Sequence, residues 1–275
     1  MQMDGEHKEE FRRTVREFYG YHGRHELPWR TPEANGDFDP YKIMVSELML
    51  QQTQVRRVTL KYREFLAAFP SVQAVAESQL GEVLRVWNGL GYNRRAQYLH
   101  QSARLIATEH GGVVPHSFQA LLQLPGIGSN TAGAILAYAF NEPVVFVETN
   151  IRTVYIHHFF PGNAMISDAD IRPIVEATLD RQHPREWYWA LMDYGSYLKR
   201  TAGNATKRSS FYVHQSPFGG SRRQVRGKVI KSLLDGPLPL DELQASIRDN
   251  RLEEVLSKLT DEGIIRQANR KYRLC

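Results

Sequence analysis

The chain has 275 residues, a size for one large or two modest domains with sizeable cores. Hydrophobic residues make up 42% and charged ones 24%, and the formal charge of +5 suggests an anionic partner. The only cysteine is Cys275, which excludes an intrachain disulfide, a thiolate zinc site and a cysteine-held iron–sulfur cluster within one chain.

No apolar run approaches membrane-spanning length, and MQMDGEHKEEFRR lacks a signal-peptide core, which predicts a cytoplasmic protein, nucleoid-associated if bacterial. Phe11, Val15 and Phe18 recur at helical spacing and predict a first helix that stops before Leu27-Pro28-Trp29. Asp39-Pro40 reads as an N-cap with proline at the first helical position, opening a helix to about Leu50. Thr53 is placed to cap the next helix, whose Val55, Val58, Tyr62, Phe65 and Phe69 form a buried stripe. Shorter helices are predicted over Val72 to Glu77 and Leu80 to Trp87. Gly89-Leu90-Gly91-Tyr92 then breaks the pattern before a helix from about Arg94 to Glu109. Further helices fall at Ser117 to Leu124, Ile151 to Phe159, Ala169 to Leu179 and Glu186 to Lys199, with no strand alternation before residue 210 and no internal repeat. His157 and His158 point to different helix faces and read as packing residues rather than metal ligands.

Composition shifts late in the chain. From Tyr194 to Leu234 there is no Asp or Glu but nine Lys or Arg, and TAGNATKRSS and SPFGGS have linker composition. Beyond them, helices are predicted over Arg222 to Leu234, Leu240 to Arg248 and Leu252 to Glu262, with GPLPL as a turn and two short strands around Asn269. Three helices and a terminal hairpin outline a winged helix, a helix-turn-helix variant that often binds DNA, although many such modules make only protein contacts.

Residues 124–136, LPGIGSNTAGAIL, place two glycines between two helices. If Ser129 caps the second helix, backbone N–H groups point outward at a helix N-terminus, where glycine lets a phosphate approach closely. A plain αα-turn would explain a bare Gly-x-Gly equally well. The neighbouring segments extend the pattern: MVSELMLQQTQV at Met44 to Val55, WNGLGYNRRA at Trp87 to Ala96 and VETNIRTV at Val147 to Val154. In this order and spacing, over roughly residues 8 to 200, the chain resembles the helix-hairpin-helix–GPD superfamily of DNA glycosylases, and within it the MutY-like adenine glycosylases.

The resemblance implies an all-α, two-lobed glycosylase fold over 1–212, with one lobe at about 30–145 and the other from 1–29 plus 146–212. The winged-helix-like domain follows over 213–275. It implies that Glu47 protonates the leaving base; flanked by Leu48, Met49 and Leu50, a desolvated carboxyl there would have a raised pKa. Glu148 stands where the family carries an aspartate, one methylene longer, and Asn150 matches an asparagine that orients the site. The position that carries a Schiff-base lysine in bifunctional relatives is Asn130, which implies a monofunctional enzyme that leaves an abasic site. Gln52, Leu90 and Tyr92 match residues that fill or brace the gap left by a flipped base, with Leu90 and Tyr92 expected at an exposed loop tip. Gly126, Ile127, Gly128, Ser129, Asn130 and Thr131 form the expected phosphate grip. In place of the family's cluster loop, Lys199, Arg200, Lys207 and Arg208 are expected to contact DNA, and Arg222 and Arg223 extend that charge.

The expected partner is double-stranded DNA with a mismatched or damaged base, bound by a monomer without membrane, metal or cofactor. Adenine opposite 8-oxoguanine or guanine is the leading substrate. Thymine or uracil opposite guanine on the same scaffold, and a non-catalytic damage-binding protein, remain open alternatives.

Overall fold

The structure is a computed structural model that describes residues 5–162, 165–212, 214 and 217–275. It is helical almost throughout, with one small sheet near the C-terminus. The helices are α1 (Gly5–His22), α2 (Pro40–Leu50), α3 (Val55–Ala68), α4 (Val72–Glu77), α5 (Leu80–Trp87), α6 (Arg94–Glu109) and α7 (Phe118–Leu122), followed by α8 (Ser129–Phe140), α9 (Thr149–Phe159), α10 (Asp168–Thr178) and α11 (Pro184–Thr201). The C-terminal part adds α12 (Arg222–Ser232), β1 (Leu238–Pro239), α13 (Leu240–Ser246), α14 (Leu252–Asp261), β2 (Ile265–Ala268) and β3 (Lys271–Leu274). No helix among the described residues is long and apolar enough to cross a membrane.

Packing divides the chain into two compact units, one of residues 1–47, 116–122 and 127–214, the other of 48–115, 123–126 and 215–275. These differ from the expected lobes: residues 30–47 and 127–145 fall with the N-terminal helix, and the C-terminal module clusters with helices α3 to α6. Val213, where the expected second domain begins, lies outside the described residues.

The first unit is organised around α9 and α11. Phe11 of α1 packs its ring against Tyr155, Phe159 and Trp187 at centroid distances of 5.4, 4.8 and 5.9 Å, in tilted or edge-on geometry. Helix α2 opens as expected, with the Asp39 carboxylate accepting from the Tyr41 N–H at 2.8 Å and Pro40 at the first helical position. Tyr41, Ile43, Met44 and Val45 are all buried, so this helix is apolar on nearly every side and Glu47 enters it as a polar exception.

In the second unit Phe65, Leu84, Trp87, Leu99 and Ile106 are the core of α3, α5 and α6. The C-terminal module has winged-helix order, its sheet running β1-β3-β2 with antiparallel pairing. Asn269 and Arg270 both take positive φ (52° and 60°), which closes β2 and β3 as a two-residue hairpin with the right-handed strand twist. The sequence showed this hairpin but not β1, where GPLPL was expected to turn; Leu238 and Pro239 instead pair with Tyr272 and Lys271. The module is stitched to α5 and α6: Gly81 N–H donates to Cys275 O at 2.7 Å, Arg85 Nη2 to Leu234 O at 2.8 Å, and Arg94 pairs with Glu262. That stitching gives a physical reason for the module to cluster with these helices.

Candidate functional site

Glu47, Glu148 and Asn150 all lie in the first unit, and a common electrostatic environment joins them. Glu47 and Glu148 keep some access to solvent, yet protein surrounds both closely. Burial, together with the neighbouring Glu148 charge, pushes the Glu47 carboxyl up to about 8, and Arg30 only partly opposes this. Burial also raises Glu148, but four influences pull the other way: Lys199, the Asn150 and Thr149 N–H groups, and Arg152. Glu148 is the N-cap of α9, its carboxylate accepting from Asn150 N–H at 3.4 Å and from Asn150 Nδ2 at 3.3 Å. Both carboxyls therefore sit above the usual range: Glu47 holds its proton near neutral pH, and at Glu148 nearby cations and a helix N-terminus work against burial without cancelling it.

Three further residues complete this site, and two of them, Arg30 and Tyr138, had no distinguishing sequence signal. Arg30 lies beside Glu47 and is fixed by Asp193, donating to Oδ2 at 2.7 Å and Oδ1 at 2.9 Å. Burial alone would raise Asp193, but its bonds and charge contacts with Arg30 and Arg24 hold it below the usual carboxylate range. The Arg30 Nε is buried without a hydrogen-bond partner. Tyr138 of α8 stays a neutral phenol, raised by burial and then by the charges of Glu47 and Glu148. Lys199 donates to Asn150 Oδ1 at 2.8 Å. It was expected on a DNA-contacting loop; instead α11 continues to Thr201 and aims it inward.

The remaining basic candidates divide in the same way. Arg208 caps the end of α9, donating to Phe160 O at 2.7 Å and Ile156 O at 3.1 Å, so it does not offer its charge outward as expected. Arg200 and Lys207 are exposed. Asn204 caps a short 3-10 helix over Ala205–Arg208 in a segment expected to be linker. That segment contains no cysteine; the chain's one thiol, Cys275, follows β3 in the other unit.

In the second unit one buried arginine organises the segments that carry Gln52 and Tyr92. Arg95 of α6 donates to Leu48 O, Met49 O and Gln51 O at 2.8, 2.8 and 2.6 Å, to Thr53 Oγ1 at 3.0 Å and to Gly91 O at 3.0 Å. Its guanidinium also lies 5.4 Å from the Trp87 ring centroid and 5.5 Å from that of Tyr92. Burial lowers its pKa only to about 10, so it stays charged. Thr53 is thus a partner of Arg95 rather than the cap of α3, where Gln54 is the N-cap. Gln52 and Tyr92 are held at positive φ (55° and 46°), a conformation costly for residues other than glycine, and both are exposed. Leu90 corrects the sequence reading: it is 2% exposed and belongs to the core, whereas Tyr92 is exposed. Arg223 of α12 donates to the Tyr92 hydroxyl at 2.7 Å, while Arg222 pairs with Glu254 at 3.1 Å.

The 124–131 hairpin is built on one obligatory glycine and one permissive one. Gly126 has φ +79°, and a Cβ there would meet Tyr98 at 2.8 Å. Gly128 has an ordinary negative φ, and a Cβ would meet nothing within 4 Å. Gly128, not Ser129, is the N-cap of α8, and no side chain caps it. Ser129, Asn130 and Thr131 therefore occupy the first turn, at the end of the helix that favours an anion. Ile127 is buried, so it can offer a ligand only its backbone. The Asn130 Oδ1 accepts from Val147 N–H at 3.3 Å, bracing the strand-like approach to Glu148.

A family profile described as HhH-GPD superfamily base excision DNA repair protein matches residues 45–174. The adenine DNA glycosylase of Mycolicibacterium smegmatis is 34% identical over 276 residues, covering 90% of this chain and 89% of that protein. That of Buchnera aphidicola subsp. Baizongia pistaciae is 33% identical over 192 residues, or 68% of this chain, which spans about half (52%) of that relative. Among solved structures, a thermostable thymine-DNA glycosylase superposes with a TM-score of 0.62 at 23% identity, over 74% of this chain and 92% of that one, a likeness of fold.

Proposed function

The chain belongs to the adenine DNA glycosylase family of base excision repair, and from that premise we propose a monofunctional enzyme that removes adenine mispaired with 8-oxoguanine or guanine. The observation that carries this reading is the enclosed carboxylate pair, with Glu47 pushed up to about 8 and Glu148 held at the start of α9 near Lys199. Cleaving an N-glycosidic bond develops cationic charge on the sugar and negative charge on the departing base. Glu47, protonated near neutral pH, supplies a proton to the base. Glu148, whose anion Lys199, Arg152 and the start of α9 support against the effect of burial, stabilises the sugar cation and orients the water that replaces the base. Asn130 offers no amine for a Schiff base, which supports an abasic product with its strand intact.

Duplex DNA is the partner we assign, bound by a monomer. The uncapped first turn of α8 suits a phosphate, Tyr92 and Gln52 suit the gap left by a flipped nucleotide, and Arg200 and Lys207 add non-specific attraction. No step of this chemistry requires a metal or redox group.

The test is a panel of labelled duplexes carrying A opposite 8-oxoguanine, A opposite G, T opposite G, U opposite G or hypoxanthine, analysed with and without alkali. Strand breaks that need alkali, fastest for A opposite 8-oxoguanine, are the expected result. Faster release of thymine or uracil would replace the substrate, and tight binding without release from any duplex would make the chain a damage-binding protein.

A further inference from the structure

Helix α11 carries Met192, Gly195 and Lys199 at spacings of three and four, so they share one face. That face meets the first turn of α9. A Cβ on Gly195 would lie 2.2 Å from the Asn150 carbonyl oxygen, so only a glycine lets the two backbones come this close. One turn later the Lys199 ammonium reaches Asn150 Oδ1 at 2.8 Å, and one turn earlier Met192 Sδ lies 3.9 Å from Asn150 Nδ2. An ammonium only donates hydrogen bonds, so its partner on the amide must be the oxygen. The amide nitrogen then faces Glu148 Oε1, at 3.3 Å.

We propose that Lys199 is a positioning residue of the glycosylase site: its ammonium fixes the Asn150 amide with the nitrogen toward Glu148 and holds a positive charge against that carboxylate. The inference rests on the glycosylase reading given above. Other charged groups face Glu148 as well. Glu47 of α2 opposes ionisation, and Arg152 of α9 favours it but is itself paired with Asp168 at 2.7 Å. Lys199 is the largest of the favourable influences on Glu148. Conversely, burial and Arg152 lower the Lys199 pKa while Glu148 raises it, so the two groups support each other's charge. The role also differs from the DNA contact that composition suggested for Lys199, because a phosphate contact would act on affinity and not on the ionisation of Glu148.

The experiment is single-turnover base release by the full chain, with enzyme in excess over a duplex bearing A opposite 8-oxoguanine. Lys199→Met, Lys199→Gln and Lys199→Arg are compared with the parent across the acidic pH range, alongside affinity for a duplex carrying a non-cleavable 2′-fluoro-adenine nucleotide. For Met and Gln the expected result is a rate about tenfold lower, with the acidic limb moved roughly one unit upward, because the Glu148 anion loses its main support. Affinity should change by less than about twofold, and Arg should restore most of the rate. An unmoved acidic limb in a folded Met or Gln variant overturns the proposal. So does lost affinity with an unchanged saturated rate, which would return Lys199 to phosphate binding. If the parent chain releases no base, the glycosylase reading itself fails and the inference falls with it; if the parent is active and the variants match it, only the inference fails.

Discussion

The start of α9 and the loop before α6 solve opposite problems with one cation each. At α9, Lys199 and Glu148 share a polar network joined through the Asn150 amide, in which the charge of one supports the charge of the other. At the loop, Arg95 donates to three carbonyls at the end of α2 and to Gly91 O, and fixes a backbone whose Gln52 and Tyr92 sit at positive φ. The first arrangement tunes acidity; the second holds shape. Polar groups packed for chemistry are tested by pH and rate, whereas polar groups packed for shape are tested by stability and affinity.

The largest effect that would sharpen this contrast is Glu47→Gln. It should lower base release by roughly 10²–10⁴-fold while leaving affinity for a non-cleavable duplex near that of the parent. An unchanged rate would remove Glu47 from the chemistry. Burial pushes the Glu47 carboxyl up to about 8, and in the proposed mechanism its protonated form is the active one. The single-turnover rate should therefore fall as pH rises through that region. In the same proposed mechanism Glu148 works as the anion, so the rate should also fall in acid as Glu148 takes up a proton. A profile flat above neutral pH would mean that the Glu47 proton is not used.

Arg95→Met should cost about 3–5 kcal/mol of stability, measured by denaturant unfolding, because several buried carbonyls lose their donor. A loss below ~1 kcal/mol would mean that the loop keeps its shape without the clamp, and the comparison with α9 would collapse. Gly126→Ala should cost about 1–3 kcal/mol, since φ +79° and the Tyr98 side chain both oppose a methyl group. Gly128→Ala should leave stability within about 0.5 kcal/mol, because it creates no clash and no φ strain. It should still weaken binding to every duplex alike, by placing a methyl group where a phosphate would approach. If Gly128→Ala binds normally, the hairpin is only a turn.

Much of the helical framework was legible because apolar spacing and caps are local signals. The Asp39-Pro40 start, the ends of α4, α5 and α6, and the Asn269 hairpin all follow from neighbours within a few residues. Local reasoning failed where long-range partners competed. Thr53 has the chemistry of a cap but is taken by Arg95, forty-two positions away. Leu90 sits between glycines that suggest an exposed tip, yet its side chain enters the core. The lobe boundaries moved because packing, rather than chain order, groups residues 30–47 with α9 and α11.

By itself the sequence determined the residue types of the chemistry: two glutamates in distinctive surroundings, an asparagine beside the second, no lysine at position 130 and no cysteine set for a cluster. It could not decide how the two carboxyls ionise, since that depends on burial and on Arg30 and Lys199, brought to the pair from distant segments. Nor could it separate inward from outward cations, because Lys199 and Arg200 are adjacent in the chain and differ only in which face of α11 they occupy. Identity is a local property of the chain. Ionisation and exposure belong to the packed molecule, because Coulomb energy and desolvation depend on distance in space.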